Sequence, residues 1–191
     1  DLWDSLVRTD ITVGSKIVLG VDISRERDKS SIAASSLVRE KTPIEIIEAR
    51  DGANWVLPRL IEIAKKWDAP VVIDNGSPAS SMIGELENAG IKIISIGLRD
   101  YARACGSFYD AVQAKSITHL DDPNLREAIV GSTKRALGDS WAWSRKSTNN
   151  ITPLVAATLA RYGVINEPTE MPVARRSEEH TSELQSRFGI S

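Results

Sequence analysis

Residues 16–22 have the sequence KIVLGVD, and this stretch decides the fold. It is a short apolar run rich in β-branched residues, which favours a strand, and it ends on Asp22. A second run, VVID at residues 71–74, ends on Asp74 in the same way. A charged carboxylate at the end of a buried strand costs free energy unless a partner compensates it. If the two strands are parallel neighbours, the two aspartates converge.

Two further strands and a helix are predicted between these runs. SIAASSLV at 31–38 and IEIIEA at 44–49 follow residues 16–22 after short polar links, which favours an antiparallel three-strand meander. The apolar spacing of WVLPRLIEIAKKW at 55–67 predicts a helix, which crosses over to a parallel strand at 71–74. We therefore predict an α/β fold in which helices flank a mixed sheet.

The second half of the chain is predicted to be mainly helical. Ser77-Pro78 opens a helix, and Gly90 is suited to its C-terminal end. The later predictions are a strand at 92–97, helices at about 99–115 and 122–137, a strand or hairpin at 141–146, and an amphipathic helix at 151–162 that ends at Gly163.

The composition is that of an ordinary globular protein and excludes several classes. Hydrophobic residues make up 41% of the chain, and no apolar run approaches the ~20 residues of a membrane span, so we expect no membrane partner. Cys105 is the single cysteine, which excludes an internal disulfide and a cage of thiolate ligands. We interpret it as a packed core residue. The dinucleotide-binding and P-loop glycine motifs are absent, which argues against a small-molecule enzyme.

The charge is distributed unevenly along the chain. The net charge is -2, but residues 1–98 carry -3 and residues 99–146 carry +2. This second region holds four cations that are candidates for contacts with the DNA backbone: Lys134, Arg135, Arg145 and Lys146. A solvated surface is the alternative interpretation of the same cluster.

Asp22 and Asp74 are the candidate metal ligands. Carboxylate oxygens are the ligands that hard divalent cations prefer, and the repulsion between two converging aspartates favours the uptake of a cation. Each residue also has a simpler interpretation. Asp22 can cap the loop that follows it, and Asp74 can accept hydrogen bonds from the turn at Asn75-Gly76.

The order of the elements resembles the ribonuclease-H-like nuclease fold. A closer resemblance covers residues 15–163 and is to the nuclease domain of the large terminase subunits of tailed phages. The stretches that carry it are LGVDIS, VVIDNGSPASS, ACGSFYDAV, RALGDSWAWSRKS and ITPLVAATLA. The last two are the most distinctive. For the paired Trp141 and Trp143, core packing is favoured over contact with DNA.

The resemblance implies a metal-dependent endonuclease that cuts concatemeric double-stranded DNA during packaging. It implies two Mg²⁺ or Mn²⁺ ions about 4 Å apart, with Asp22 bridging them and Asp74 holding one. It also implies a portal protein and a small terminase subunit as partners in the host bacterial cytoplasm. Because a Walker A motif is absent, residues 1–14 are interpreted as the remnant of a linker from a missing ATPase domain.

The chain departs from the family pattern just before its last helix. Relatives commonly carry an acid there, whereas this chain has Asn150 in NNITPL. The amide oxygen of Asn150 is a neutral candidate metal ligand, and asparagine is equally a good helix cap. A weakened natural enzyme, an engineered inactive variant and compensation by Asp139 or Asp110 remain open as explanations.

Two alternative functions remain. The chain could be a recombination nuclease of the resolvase or integrase type, or a non-catalytic domain that docks DNA or the portal.

The C-terminal region is interpreted separately from the predicted nuclease domain. Residues 164–175 are interpreted as a linker or tail. RSEEHTSELQS at 176–186 resembles a translated sequencing adapter, so we interpret 176–191 as an artefactual, disordered tail.

Overall fold

A six-stranded mixed sheet is the frame of the fold in the computed structural model, which describes residues 1–166. The strands are β1 (Val18–Ile23), β2 (Lys29–Ser35), β3 (Thr42–Asp51), β4 (Val71–Asp74), β5 (Ile93–Ile96) and β6 (Ile117–His119). They lie in the sheet in the order β5-β4-β1-β2-β3-β6. The helices are α1 (Val56–Trp67), α2 (Ile83–Asn88), α3 (Leu98–Gln113), α4 (Pro123–Val130) and α5 (Thr152–Asn166). A separate hairpin joins β7 (Lys134–Leu137) to β8 (Ser140–Trp143).

The sheet combines an antiparallel meander with parallel strands on both sides. β2 pairs antiparallel with both β1 and β3. On the other side of β1, β4 pairs parallel with β1 and β5 pairs parallel with β4. β6 adds in parallel to the opposite edge, next to β3. The predicted fold class is therefore confirmed, including the crossover through α1 that places the two aspartate-bearing strands side by side.

The two faces of β1 belong to different layers of the core. Leu19, Val21 and Ile23 pack with the apolar side of α1, while Val18 packs with α3 and α5 on the other face. Because successive side chains of a strand point to opposite faces, Asp22 shares the face of Val18. The sequence alternation at β1 thus directs this carboxylate toward the layer that contains α3, α5 and the hairpin.

The helix α5 lies at the centre of that layer. It was predicted to be amphipathic, but this prediction is wrong, since the sheet, α3 and α4 surround it and bury all of its first ten residues. A helix that is apolar on all sides is a buried helix. The predicted end at Gly163 is also wrong, because the helix continues to Asn166. Gly163 is inside it and leaves room for Val18 and Val72.

In the region after α3 one further prediction of secondary structure is wrong, and one strand was not predicted. The predicted helix over 122–137 ends at Val130, and Gly131-Ser132-Thr133 lead into β7, which pairs with β8. The hydroxyl of Ser132 donates to the carbonyl of Ile129, which satisfies one of the carbonyls at the helix end. The strand β6 was missed because its three residues are too few to show a period.

The first residues of the chain pack against β6. Trp3 and Leu6 are buried, and the indole ring of Trp3 stacks on the imidazole of His119 at a centroid distance of 3.8 Å. The backbone N–H of Arg8 donates to the carbonyl of His119. The fold therefore includes part of the segment 1–14 that the sequence assigned to a linker.

The C-terminal segments fall largely outside the described residues. Residues 164–166 belong to α5, whereas the remainder of the predicted linker 164–175 and the adapter-like tail 176–191 are outside the described part of the chain. No helix within residues 1–166 is long and apolar enough to cross a membrane.

Gly20 sets the distance between β1 and α5. A Cβ atom built on Gly20 would lie 2.1 Å from the carbonyl oxygen of Ala156 and 2.6 Å from the backbone nitrogen of Ala160. Both are backbone atoms of a helix and cannot rotate away. Only glycine therefore allows this close approach, two residues before Asp22.

We expect Gly20→Ala to lower the free energy of unfolding by about 1–3 kcal/mol, the usual cost of overpacking a core. Gly106→Ala is the matched control. Gly106 is in the interior of α3 with open space where its Cβ would be, so alanine should stabilise the protein by about 0.5–1 kcal/mol. Urea unfolding measures both. Equal stabilities for Gly20→Ala and the parent would contradict the proposed close contact.

Candidate functional site

Asp22 and Asp74 lie level with each other at the carboxyl ends of neighbouring parallel strands. The register pairs Leu19 with Val71 and Gly20 with Val72. Continued by two residues, this register brings Asp22 level with Asp74. The structure thus brings together the two aspartates that the sequence singled out.

Arg145 joins the two aspartates. Its Nη1 donates to Oδ2 of Asp22 and its Nη2 to Oδ1 of Asp22, both at 2.8 Å, which is the bidentate geometry of a strong arginine–carboxylate pair. The same Nη2 is 3.7 Å from Oδ2 of Asp74. One guanidinium therefore serves two carboxylates, and the three charges leave the group one negative charge in excess.

Burial and the close contact between the charges shift the pKa values of Asp22 and Arg145. The side chain of Asp22 is 0% exposed and that of Arg145 is 22% exposed. Burial raises the pKa of Asp22, and the charge of Arg145 and its hydrogen bonds offset part of that rise. Burial acts on Arg145 in the opposite sense, but the carboxylate of Asp22 outweighs it and raises the pKa of the guanidinium. The nearby carboxylate of Asp74 also raises the pKa of Asp22, because two neighbouring negative charges repel each other.

Asp74 is held by the turn that follows its strand. The backbone N–H of Gly76 donates to its Oδ1 at 2.9 Å, as the simpler interpretation of the sequence predicted. The backbone N–H of Ser77 donates to the carbonyl oxygen of Asp74. The Ser77 hydroxyl is buried and has no hydrogen-bond partner within residues 1–166. Asp22 differs from Asp74 in that both of its oxygens accept from a side chain, Arg145. Its carboxylate also receives a backbone hydrogen bond from Ile23.

Tyr101 and Cys105 of α3 lie behind the charged group. The hydroxyl of Tyr101 is buried without a hydrogen-bond partner in the described part of the chain, and burial raises its pKa. Burial likewise raises the pKa of the Cys105 thiol to about 11. A thiol of this kind is protonated at neutral pH, so the interpretation of Cys105 as a packed core residue is confirmed.

Asn150 caps the last helix and connects it to β2. Its Oδ1 accepts hydrogen bonds from the backbone N–H and the hydroxyl of Thr152, at 3.0 and 2.7 Å. The Thr152 hydroxyl is 2.8 Å from that of Ser31, which pairs directly with Asp22 across β1 and β2. Asn150 is therefore connected to the strand position beside Asp22 through the side chains of Thr152 and Ser31. Its own amide oxygen is engaged by Thr152 at the start of the helix.

Neither of the acids suggested as substitutes for Asn150 completes a metal cluster. Asp110 is exposed on α3, and Asp139 is exposed in the turn between β7 and β8. Among residues 1–166, no three acidic, histidine or cysteine side chains are grouped closely enough to hold a metal ion. The carboxylates available to a cation at this site are those of Asp22 and Asp74.

The predicted DNA-contact residues fall into two groups. Lys134, Arg135 and Lys146 are exposed on the hairpin or just after it. The Nζ of Lys134 lies over the rings of Tyr109 and Trp141, at 4.0 and 4.2 Å from their centroids. Arg145 instead binds Asp22. No charge pattern in the sequence signals this contact, although the cost of burying Asp22 signals that some cation must lie near it.

The two tryptophans of the hairpin differ in environment. Trp143 is buried, and its indole N–H donates to the hydroxyl of Thr158 on α5 at 3.0 Å. Trp141 is partly exposed and meets the ring of Trp143 edge-on at 4.8 Å. Core packing, which the sequence favoured, is confirmed for Trp143 and is partial for Trp141. The pair anchors the hairpin on α5, just before Arg145.

The donor set is suited to a hard divalent cation. Asp22 and Asp74 offer carboxylate oxygens only, and they carry one more negative charge than Arg145 neutralises. Oxygen donors with excess negative charge are those that Mg²⁺ and Mn²⁺ select. The residues present therefore fit the metal that the sequence resemblance implies.

The fold is shared with phage large terminases. The structure matches that of the HK97 bacteriophage large terminase with a TM-score of 0.69 and 13% identity over 85% of this chain and 42% of the HK97 chain. It matches the large terminase nuclease of the thermophilic phage G20c with a TM-score of 0.66 and 15% identity, over 83% of this chain and 94% of that one. The chain has the large-terminase nuclease fold.

A G20c structure with bound magnesium also matches, with a TM-score of 0.65 and 15% identity over 85% of this chain and 94% of that one. The chain spans less than half the length of the HK97 large terminase. No protein-family model matches the sequence, and neither does any curated protein. At these identities the likeness confirms the resemblance in fold, and the activity must be argued from the site.

Proposed function

We propose that this chain is a divalent-metal-dependent DNA endonuclease domain of the large-terminase type. The observation that carries the proposal is the pair formed by Asp22 and Asp74, which lie level on parallel strands with excess negative charge. The shared fold supports it, as does the magnesium bound in one of the similar structures.

The proposed reaction is hydrolysis of a phosphodiester bond in concatemeric double-stranded DNA. Two bound Mg²⁺ or Mn²⁺ ions would activate water and stabilise the leaving oxygen. Asp22 would serve both ions and Asp74 one of them. The amide oxygen of Asn150 would be a neutral third donor only after it releases the N–H and the hydroxyl of Thr152. The sheet holds the two aspartates in place through the β1 and β4 ladder, so little conformational freedom is lost when they bind a cation.

The exposed cations of the hairpin would position the DNA backbone. Lys134, Arg135 and Lys146 extend into solvent, and Lys146 directly follows the arginine that binds Asp22. Contacts of this kind fix the register of a duplex without reading its sequence. We extend the proposal to the packaging context, with a portal protein and a small terminase subunit as partners in the host bacterial cytoplasm.

A second function is favoured by one observation. Asn150 is at the position where the family resemblance implies an acid, and its amide oxygen accepts hydrogen bonds from Thr152. The cation site therefore has two carboxylates within the described residues. A domain of this composition could dock DNA without cutting it. Cleavage assays separate the two functions.

We expect the purified chain to nick supercoiled plasmid in the presence of Mn²⁺ or Mg²⁺ and to be inactive in EDTA. Asp22→Asn and Asp74→Asn should each reduce nicking to the level seen in EDTA, because each removes a charged ligand. Gel electrophoresis of the plasmid forms measures the result.

Asp139→Asn is the matched control for this assay, since it makes the same chemical change at an exposed turn. It should leave nicking unchanged. Binding of plasmid without any metal-dependent nicking would favour the docking function, and nicking that survives Asp22→Asn would overturn the proposed site.

We expect Asn150→Asp to increase nicking at limiting Mn²⁺. Aspartate caps a helix as well as asparagine does, so stability should be retained, and the added charge should strengthen cation binding. The expected gain in apparent affinity is on the order of tenfold, or about 1.4 kcal/mol. Asn149→Asp is the control, since it adds the same charge one residue away. Equal gains in both variants would show a general charge effect and not a ligand position.

We expect the combined change of Lys134, Arg135 and Lys146 to glutamine to flatten the salt dependence of DNA binding. Each lost phosphate contact should reduce the slope of log K against log salt by ~0.9. A triple glutamine variant of Lys16, Lys65 and Lys66 is the control, because it makes the same charge change elsewhere on the protein. Lys16 and Lys65 line one groove. Fluorescence anisotropy with a labelled duplex measures the slopes. Parallel slopes for the two variants would contradict the assignment.

A further inference from the structure

In the structure the aspartate pair already binds a positively charged group, the guanidinium of Arg145. The guanidinium of Arg145 takes both oxygens of Asp22 at 2.8 Å and lies 3.7 Å from Asp74. We propose that Arg145 is an internal competitor of the divalent metal, so that the metal enters only when the guanidinium leaves. The proposal rests on the function proposed above, because it requires a metal at this pair.

The competition follows from the use of the same lone pairs. A carboxylate that accepts two parallel hydrogen bonds from arginine presents both of its oxygens to that arginine. A metal ion bound to Asp22 needs at least one of those oxygens and would also repel the guanidinium at contact distance. The two cations therefore exclude each other on Asp22.

In the absence of metal, the ion pair with Arg145 stabilises the buried carboxylate of Asp22. Asp22 is fully buried, and a buried carboxylate without a partner is strongly destabilising. Arg145 offsets part of that penalty but leaves one negative charge on the group. A divalent cation neutralises both carboxylates, so at sufficient metal concentration the exchange is favoured by charge balance.

The position of Arg145 makes the exchange possible. It follows β8, in a hairpin that shares no ladder with the six-stranded sheet, and its side chain is 22% exposed. The guanidinium can therefore reach solvent while the sheet and the two aspartates stay in place. In solvent the guanidinium of Arg145 would lie beside the exposed side chain of Lys146. There its two parallel N–H groups, no longer bound to Asp22, can donate hydrogen bonds to a phosphodiester.

Binding of Mn²⁺ measured by titration calorimetry tests the competition without any need for cleavage. The parent, Arg145→Gln and Arg145→Lys are compared at one pH and salt concentration. Removing the competitor should tighten Mn²⁺ binding about tenfold or more in Arg145→Gln, within the usual range of coupling between two ligands. Arg145→Lys keeps a charge but loses the bidentate fork, so its affinity should fall between the other two.

Arg103→Gln is the matched control, since it removes an arginine that pairs with an exposed aspartate, Asp100, outside the site. It should bind Mn²⁺ as the parent does. Thermal unfolding gives a second measurement: Arg145→Gln should start with a lower Tm and gain more from Mn²⁺ than the parent, because the ion replaces the lost partner of Asp22. Should Arg145→Gln fail to fold, the lysine variant carries the comparison.

Asp22→Asn separates failure of this proposal from failure of the proposed function. Loss of Mn²⁺ binding in Asp22→Asn together with tighter binding in Arg145→Gln supports the competition. If binding needs Asp22 but is unchanged or weaker in the Arg145 variants, the competition is overturned and the metal site stands. If Asp22→Asn binds Mn²⁺ as well as the parent, the metal lies elsewhere and both proposals are overturned.

Discussion

The burial of one negative charge organises this molecule. Asp22 is on the central strand pair of the sheet with no exposure to solvent, and a carboxylate in that position requires a cation close by. The crossover through α1 brings a second carboxylate, Asp74, to the same level, and the hairpin delivers Arg145 to both. The layer of α3, α5 and the hairpin covers this face, so the site borders directly on the core of that side.

The sequence predicted the half of the site that depends on local pattern. Each aspartate ends an apolar strand run, and the short meander followed by a helix leaves a parallel crossover as the simple way to pair those strands. Arg145 escaped prediction as a partner because it is 123 residues from Asp22 along the chain. Nothing local distinguishes it from Lys146. A capping role was one of two interpretations that the residue type of Asn150 allowed, the other being a neutral metal ligand. Its link through Thr152 to Ser31 depends on how α5 packs on β2.

The errors in the fold share one physical cause, since tertiary contacts overrode local preference. Residues 134–137 form a strand because β8 is available to pair with them, not because their composition demands it. The strand β6 has only three residues and exists as the parallel neighbour of β3. The helix α5 carries a charged residue, Arg161, and even this arginine is buried, donating to Thr42 and Ser107.

The glycine contact between β1 and α5 has a mechanical consequence. Helix and strand meet there backbone to backbone, with no flexible side chain between them to absorb a displacement. The position of α5 relative to β1 is therefore fixed within narrow limits, and the first turn of the same helix is where Thr152 contacts Ser31 beside Asp22. A core substitution that displaces α5 would accordingly disturb the surroundings of the aspartates even when the substituted residue is far from them.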